Sequence, residues 1–302
     1  MIQTVSIVGL GALGTMFSHF FSQQLPLGNL RIVADAQRIK RYQSEGVYCN
    51  DESFPLTYLT PDIKDFADLV IFAVKFNGLE KAIQTARNQV GPQTVILSLL
   101  NGISSEEILG KEFGTEKVLY CTAQGMDALK VGNRMYYKNM GTLSVGDPYH
   151  RCGNRLQELT DFFDRIGFPY DCPVDMEKKL WGKLLLNTGI NQAVTVYETN
   201  FGGVQKPGPA RDTMIAAMRE VIAIAQAEGI ALDQTDLEFW LDLIDKLNPD
   251  GKPSMRQDAE AHRKTEVDLF SGTINALGKK HGIPTPVNQE LYRKIKEIES
   301  TF

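Results

Sequence analysis

The sequence predicts an α/β fold, a doubly wound parallel sheet, joined to a C-terminal all-α domain. Three observations predict it. Continuous apolar runs alternate with amphipathic stretches through the first half of the chain, that alternation ends near residue 172, and the remaining residues have helical periodicity interrupted by Gly/Pro clusters. Strands buried on both faces of a parallel sheet read as near-unbroken Val, Ile and Leu, and their alternation with helical segments marks a doubly wound sheet. The predicted domains are residues 1–172 and 173–302.

Taken in order, the apolar runs at 2–8, 30–34, 69–74, 94–100 and 117–123 read as strands of that sheet. The segments 12–24, 37–44, 79–88 and 104–109 read as the helices between them. Ser104 stands three residues before Glu107, a capping-box spacing that predicts a helix start. Residues 135–138 and 142–145, with Gly141 between, read as a small hairpin. Beyond 173, helices are expected at 176–198, 209–228, 235–247, 255–280 and 288–299, separated by Gly/Pro-rich breaks.

A length of 302 residues suits about two domains, and 43% hydrophobic with 23% charged residues excludes disorder and coiled coil. A net charge of -5 argues against nucleic acid as a partner. No run approaches the ~20 apolar residues of a membrane span, so no membrane is expected. The start, MIQTVSIVGLGALG, enters a strand-like pattern with no basic leader. Cys49, Cys121, Cys152 and Cys172 lack paired spacing and suit reduced thiols in a cytoplasmic protein. The four histidines lack ligand spacing, so no metal is expected.

Chemistry enters with the glycine motif. Gly9, Leu10, Gly11, Ala12, Leu13 and Gly14 form a G-x-G-x-x-G element between an apolar run and a helix-like stretch. That context is what dinucleotide binding requires. Gly9 permits a tight turn, Gly11 lets backbone approach a pyrophosphate, and Gly14 lets helix pack on strand, with the helix N-terminus toward the phosphates. Asp35, twenty-one positions after Gly14, can accept from the adenosine ribose hydroxyls, which favours NADH. Arg38, Lys40 and Arg41 come close behind it and can instead engage a 2′-phosphate or form a solvated helix face; the two signals conflict.

Ligands of open parallel sheets collect beyond the carboxyl ends of strands. Lys75 and Asn101 stand at two such ends, facing the expected cofactor crevice. In the second half, Lys183, Asn187 and Asn191 recur every four residues among apolar neighbours. Each step of four turns a helix by only about 40°, so the three share one face. A buried lysine is costly unless compensated, which makes the stripe a candidate site. A second polar cluster runs through Ser254, Asp258, Thr265, Glu266 and Asp268, whose default reading is an exposed helix face.

Together these pieces resemble the ketopantoate reductase (2-dehydropantoate 2-reductase) family over nearly the whole chain. The resemblance rests on the glycine motif, Ala73 to Lys75, Leu100 to Gly102, Leu180 through Asn191, Ser254 to Asp258, Thr265 to Asp268, and Gly282 to Asn288. It implies a Rossmann-like domain followed by a helical one, with the active site in the cleft between. The implied activity is NADPH-dependent reduction of ketopantoate to (R)-pantoate, a step toward pantothenate and coenzyme A. It further implies Lys183 and Glu266 as catalytic residues; Asn187, Asn191 and Ser254, with Asn101, as substrate-binding; and Lys75 and Asn101 at the nicotinamide end. The chain departs from the family at Pro253, at Gln192 and Ala193, at Phe201 and Gly202, and at Asp35, where NADPH users more often carry a basic residue. A two-domain dehydrogenase for another 2-oxo acid, and a catalytically silent NAD(P)-binding regulator, are the alternatives. The expected partner is a small 2-oxo acid, with a homodimer left open.

Overall fold

The computed structural model describes residues 1–302, which divide into two compact units: residues 1–100 with 104–176, and residues 101–103 with 177–302.

The first unit contains β1 (Val5–Val8), α1 (Ala12–Gln24), β2 (Leu30–Val33), α2 (Ala36–Glu45), β3 (Tyr48–Cys49), β4 (Glu52–Ser53), β5 (Thr57–Leu59), β6 (Ala67–Phe72), α3 (Leu79–Ala86), β7 (Val90–Ser98), α4 (Ser105–Phe113), β8 (Tyr120–Gln124), β9 (Leu129–Val131), β10 (Arg134–Tyr136), β11 (Thr142–Gly146), α5 (Arg155–Ile166) and β12 (Tyr170–Asp171). A five-stranded sheet of order β5-β2-β1-β6-β7 is parallel throughout. Alternate residues feed two cores. Val5, Ile7, Leu69, Ile71, Val95 and Leu97 pack on one face with Phe17, Phe21, Phe162 and Phe163 of α1 and α5. Val8, Val70, Phe72 and Ile96 pack on the other with Leu79, Ile83 and Leu109 of α3 and α4. Burial on both faces is why the central strands are mostly apolar.

Four expectations are corrected here. The run at 117–123 does not extend the parallel sheet. It touches β7 at one bridge, Ile96 to Val118, and then forms β8, antiparallel to β11 in a three-stranded sheet of order β12-β11-β8. Cys121, Ala123, Leu143 and Val145 find their burial in the α1/α5 core, so the apolar run is satisfied without parallel neighbours. The fifth parallel strand is instead β5, three half-buried residues at the edge. Nor do 135–138 and 142–145 form a hairpin. β10 pairs with β9 and β3, and β11 with β8 and β12. Gly141, at φ +63°, turns against Gln124, where a Cβ would lie 2.3 Å from the carbonyl oxygen. Finally, Ser104 makes no side-chain cap, although α4 does start beside it.

The second unit is helical: α6 (Met176–Val196, its first residue grouped with the first unit), α7 (Phe201–Gln205), α8 (Pro209–Ala227), α9 (Gln234–Asp245), α10 (Ser254–Glu260), α11 (Thr273–His281) and α12 (Pro286–Glu299). The helix expected over 255–280 is broken, which is the fourth correction. α10 ends at a left-handed His262, residues 263–267 are irregular, and a π-helical turn, Asp268–Gly272, leads into α11. Good helix formers at 259–264 are overridden by tertiary bonds, since the Thr265 amide and hydroxyl both donate to Glu299 of α12. Asn288 ties the unit together from full burial. It donates to the Ala217 carbonyl and to Glu220 of α8, and accepts from Ser271 in the π-helical turn.

Candidate functional site

In the first unit the residues of the glycine motif are held by packing of two kinds. Gly9 sits at φ +104°, and a Cβ there would come within 2.6 Å of the Ala73 carbonyl oxygen. A Cβ on Gly14 would stand 1.9 Å from the Gly9 carbonyl oxygen. Both positions are glycine because the fold leaves no room. Gly11 differs: its φ of -71° suits any residue, and the nearest atom to an added Cβ is the Ala73 carbonyl oxygen at 3.5 Å. The space above Gly11 is open, which is the cradle a phosphate-bearing ligand would fill. Gly11 is also the N-cap of α1, and no side chain caps that helix, so its first-turn N–H groups have a pole available for an anion.

A hollow of about 290 Å³ opens beside this loop, and Gly9, Leu10, Gly11, Asp35, Arg38 and Lys75 line it. Ala12, Leu13 and Gly14 form the first turn of α1 and do not line it. Asp35 has a second task that its position before α2 could have revealed. Its Oδ1 accepts from the Arg38 amide at 2.9 Å as the N-cap of α2. Its Oδ2 lies 3.2 Å from Lys81 Nζ and 3.7 Å from Arg38 Nε. The Arg38 amide bond, with help from Lys81, holds the Asp35 carboxyl below its ordinary range. Lys81, Asn77 and Tyr42 also line the hollow and were not singled out from sequence. Only Lys81, six residues after Lys75, offered a signal, as a second cation near a strand end.

In the second unit, α6 is buried almost all round. From residue 180 to 195 only Lys183, Leu186 and Asn187 are not fully buried. Lys183 and Asn187 of the polar stripe therefore stand on the one open side of an otherwise interior helix, while Asn191 is buried. Asn191, 4% exposed, donates from Nδ2 to Asn187 Oδ1 at 3.2 Å. Asn191 Oδ1 accepts from the Met255 amide at 3.1 Å and from Ser254 Oγ at 3.4 Å. Asn187, Asn191 and Ser254 are thus one hydrogen-bonded group.

Asn101 belongs to this unit, and its Nδ2 donates to Glu266 Oε2 at 2.8 Å. Glu266 is half-buried just ahead of the π-helical turn, not on the exposed helix face its charge suggested. Both flanks are pinned to α12, through Thr265 to Glu299 and through Asp268 to Tyr292 and Lys296. A π-helical turn beside a fixed carboxylate is an arrangement common at working sites. The unit thus presents two hydrogen-bonded polar groups, Asn187 with Asn191 and Ser254, and Asn101 with Glu266, and Lys183 stands one turn before Asn187 on α6.

Comparison with known proteins bears on both units. The family model described as ketopantoate reductase PanE/ApbA matches residues 5–149, and its C-terminal counterpart matches residues 175–299. A 2-dehydropantoate 2-reductase of Vibrio cholerae is 27% identical over 254 residues, 83% of this chain and 85% of that protein. Among solved structures, a PanE/ApbA family ketopantoate reductase from Ralstonia eutropha superposes with a TM-score of 0.85 at 23% identity, covering 99% of each chain. D-mandelate dehydrogenase with NADH and anilino(oxo)acetate superposes with a TM-score of 0.86 at 24% identity, also over 99% of each chain. With glycine loop, Rossmann-like sheet and helical half matched in order, the chain belongs to the ketopantoate reductase PanE/ApbA family.

Proposed function

We propose that the protein reduces 2-dehydropantoate to (R)-pantoate with NAD(P)H, residues 1–172 serving as dinucleotide domain and 173–302 as substrate domain. The reading rests above all on α6, where an otherwise buried helix leaves open a face carrying Lys183 and Asn187. The Vibrio cholerae relative, named for this reaction, supports the substrate.

The glycine loop, Asp35, Arg38 and Lys75 would hold the dinucleotide. When bound, its reduced nicotinamide supplies a hydride to a 2-oxo carbon. Negative charge then grows on the carbonyl oxygen and needs a proton or a fixed cation. Lys183 donates that proton as general acid, a contribution of ~10²- to 10⁴-fold. Asn187, Asn191, Ser254 and Asn101 orient the substrate through its carboxylate and hydroxyl. Glu266, held by Asn101, accepts from the substrate hydroxyl.

The decisive experiment monitors loss of nicotinamide absorbance with ketopantoate and each reduced cofactor. Lys183→Met should lower kcat by ~10²-fold or more while dinucleotide affinity stays unchanged. Near-normal turnover in that variant would remove Lys183 from the mechanism. A second reading, an NADH-dependent reductase of a different 2-oxo acid, is favoured by the Asp35 carboxylate in the hollow. It predicts higher kcat/KM with NADH and with another 2-oxo acid in the same assay.

A further inference from the structure

A second hollow, about 650 Å³, adjoins the first and shares Leu10 and Tyr42 with it. Arg41, Glu45, Lys130 and Asn133 complete its polar lining. Lys130 is the middle residue of β9, between exposed Leu129 and Val131, and strand alternation turns it inward. Its ammonium donates to the carbonyl oxygen of Leu10, the residue between the first two glycines of the motif, and to Thr15 Oγ1 at 3.0 Å. A residue 120 positions away in sequence thus sits on the loop itself, outside any motif window.

Electrostatically the arrangement is incomplete. Burial, and then the neighbouring Arg41 guanidinium, depress the Lys130 ammonium to about 8. Two cations, Lys130 and Arg41, share one hollow with a single carboxylate, Glu45, and neither forms an ion pair. The two acceptors of Lys130 are neutral and leave one of its three N–H groups over. Such a pair weakens the unliganded protein, and an arriving anion would compensate it where Glu45 does not reach.

We infer that Lys130, backed by Arg41, is a cationic clamp for the diphosphate of the dinucleotide held on the glycine loop. The inference rests on the dinucleotide reading above and adds to it the group that neutralises the ligand's charge. The diphosphate is the anion because Leu10 is in the loop that meets it. A 2′-phosphate would be met instead at the end of β2, where Arg38 and Lys81 surround Asp35.

The test measures binding of adenosine (by displacement), ADP-ribose, NADH and NADPH to the wild type, Lys130→Met, Lys130→Arg and Arg41→Met, with the melting temperature of each unliganded protein. Lys130→Met should weaken ADP-ribose, NADH and NADPH alike by roughly ten- to a hundredfold, the size of a charge-assisted hydrogen bond. Adenosine should bind as before, and the unliganded variant should melt higher. Lys130→Arg should retain most of the affinity. Arg41→Met, whose side chain makes no bond to the loop, should repeat the pattern at smaller size even if Lys130→Met does not fold. Unchanged affinity for ADP-ribose overturns the clamp. So does an equal loss for adenosine, which makes Lys130 a strut for the loop, or a loss confined to NADPH, which makes it a 2′-phosphate reader. A wild type that binds none of the four ligands overturns the dinucleotide reading and the clamp together, whereas normal wild-type binding untouched by these substitutions overturns the clamp alone.

Discussion

Two alanine substitutions in the glycine loop separate what the fold requires from what a ligand requires. Gly14→Ala places a methyl 1.9 Å from the Gly9 carbonyl oxygen and 3.0 Å from the Ala73 side chain. The nearer atom is backbone, so the loop must open or α1 must lift off β1. Overpacking of this kind costs about 3 kcal/mol or more, equivalent to roughly 6–12 °C of melting temperature at ~2–4 °C per kcal/mol. Gly11→Ala meets nothing closer than 3.5 Å at an ordinary φ of -71°. Alanine is a poorer N-cap, but it stiffens the unfolded chain, so the net change stays within about 1 kcal/mol. Its methyl nevertheless fills the cradle, and NADH and NADPH should bind at least about tenfold more weakly, ~1.4 kcal/mol. Thermal melts and dinucleotide titrations of both variants are the assay. A Gly11→Ala protein that melts normally and binds both cofactors like the wild type would refute the cradle argument, whatever Gly14→Ala does.

Single groups elsewhere in the chain carry further expectations. Burial pushes the Cys152 thiol up to about 12 and the Cys49 thiol up to about 11, and Cys121 is also buried, so a thiol reagent should label only exposed Cys172 before unfolding. Rapid labelling of a second thiol in the native protein would contradict this. Asp68 accepts from the Gln3 and Thr4 amides and the Thr4 hydroxyl, each at 2.9 Å. Burial alone would raise its carboxyl, but those bonds outweigh it and hold the group low. A lowered folded value means stability present above the ordinary carboxylate value of about 3.9 and lost as pH falls through the folded one. The stability gap between wild type and Asp68→Asn should therefore close on acidification below about pH 4; a gap independent of pH would show the carboxylate does nothing. Asn191→Ala leaves the buried Met255 amide without its acceptor and should cost ~1–3 kcal/mol in a denaturant melt. Asn187→Ala should melt nearly normally and raise KM for the 2-oxo acid.

The central strands were legible because each is buried on both faces and so is almost wholly apolar, as in Leu69 to Phe72 and in Val5 to Val8, where the one polar residue, Ser6, is bonded to Gln89. β5 was not, because Thr57, Tyr58 and Leu59 form a short, half-buried edge strand with no apolar run to betray it. The 117–123 run was legible as a strand but not as to partner, since the core that buries it accepts either neighbour. The break between α10 and the π-helical turn was hidden for a different reason. Its cause is a carboxylate 34 positions away, Glu299, which captures Thr265. Spacing within the chain revealed the stripe on α6. It could not reveal Lys130, which reaches the glycine loop because β9 pairs with β10 and β10 with β3.

The hydrogen bonds a polar residue already makes limit what it can do for a ligand. Asn191 donates to Asn187, and its oxygen accepts twice, from the Met255 amide and from Ser254. Nearly all its capacity is committed to joining α6 to α10, so under the proposed function it would act on a substrate chiefly by fixing where Asn187 and Ser254 stand. Asn187 is half-buried, and its carbonyl is taken by Asn191 while its NH₂ group still has donors to offer. That asymmetry separates the two amides on one helical stripe into a scaffold and a contact, though the repeat of four presents them as equals. The same logic applies at Asp35, whose oxygens serve the α2 cap and Lys81. A ribose would have to share an acceptor already in use, so on the dinucleotide reading the carboxylate would discriminate between cofactors less by attraction to a hydroxyl than by repulsion of a phosphate. Asp35→Asn keeps the cap and removes the charge, and the affinity it changes should be that for NADPH.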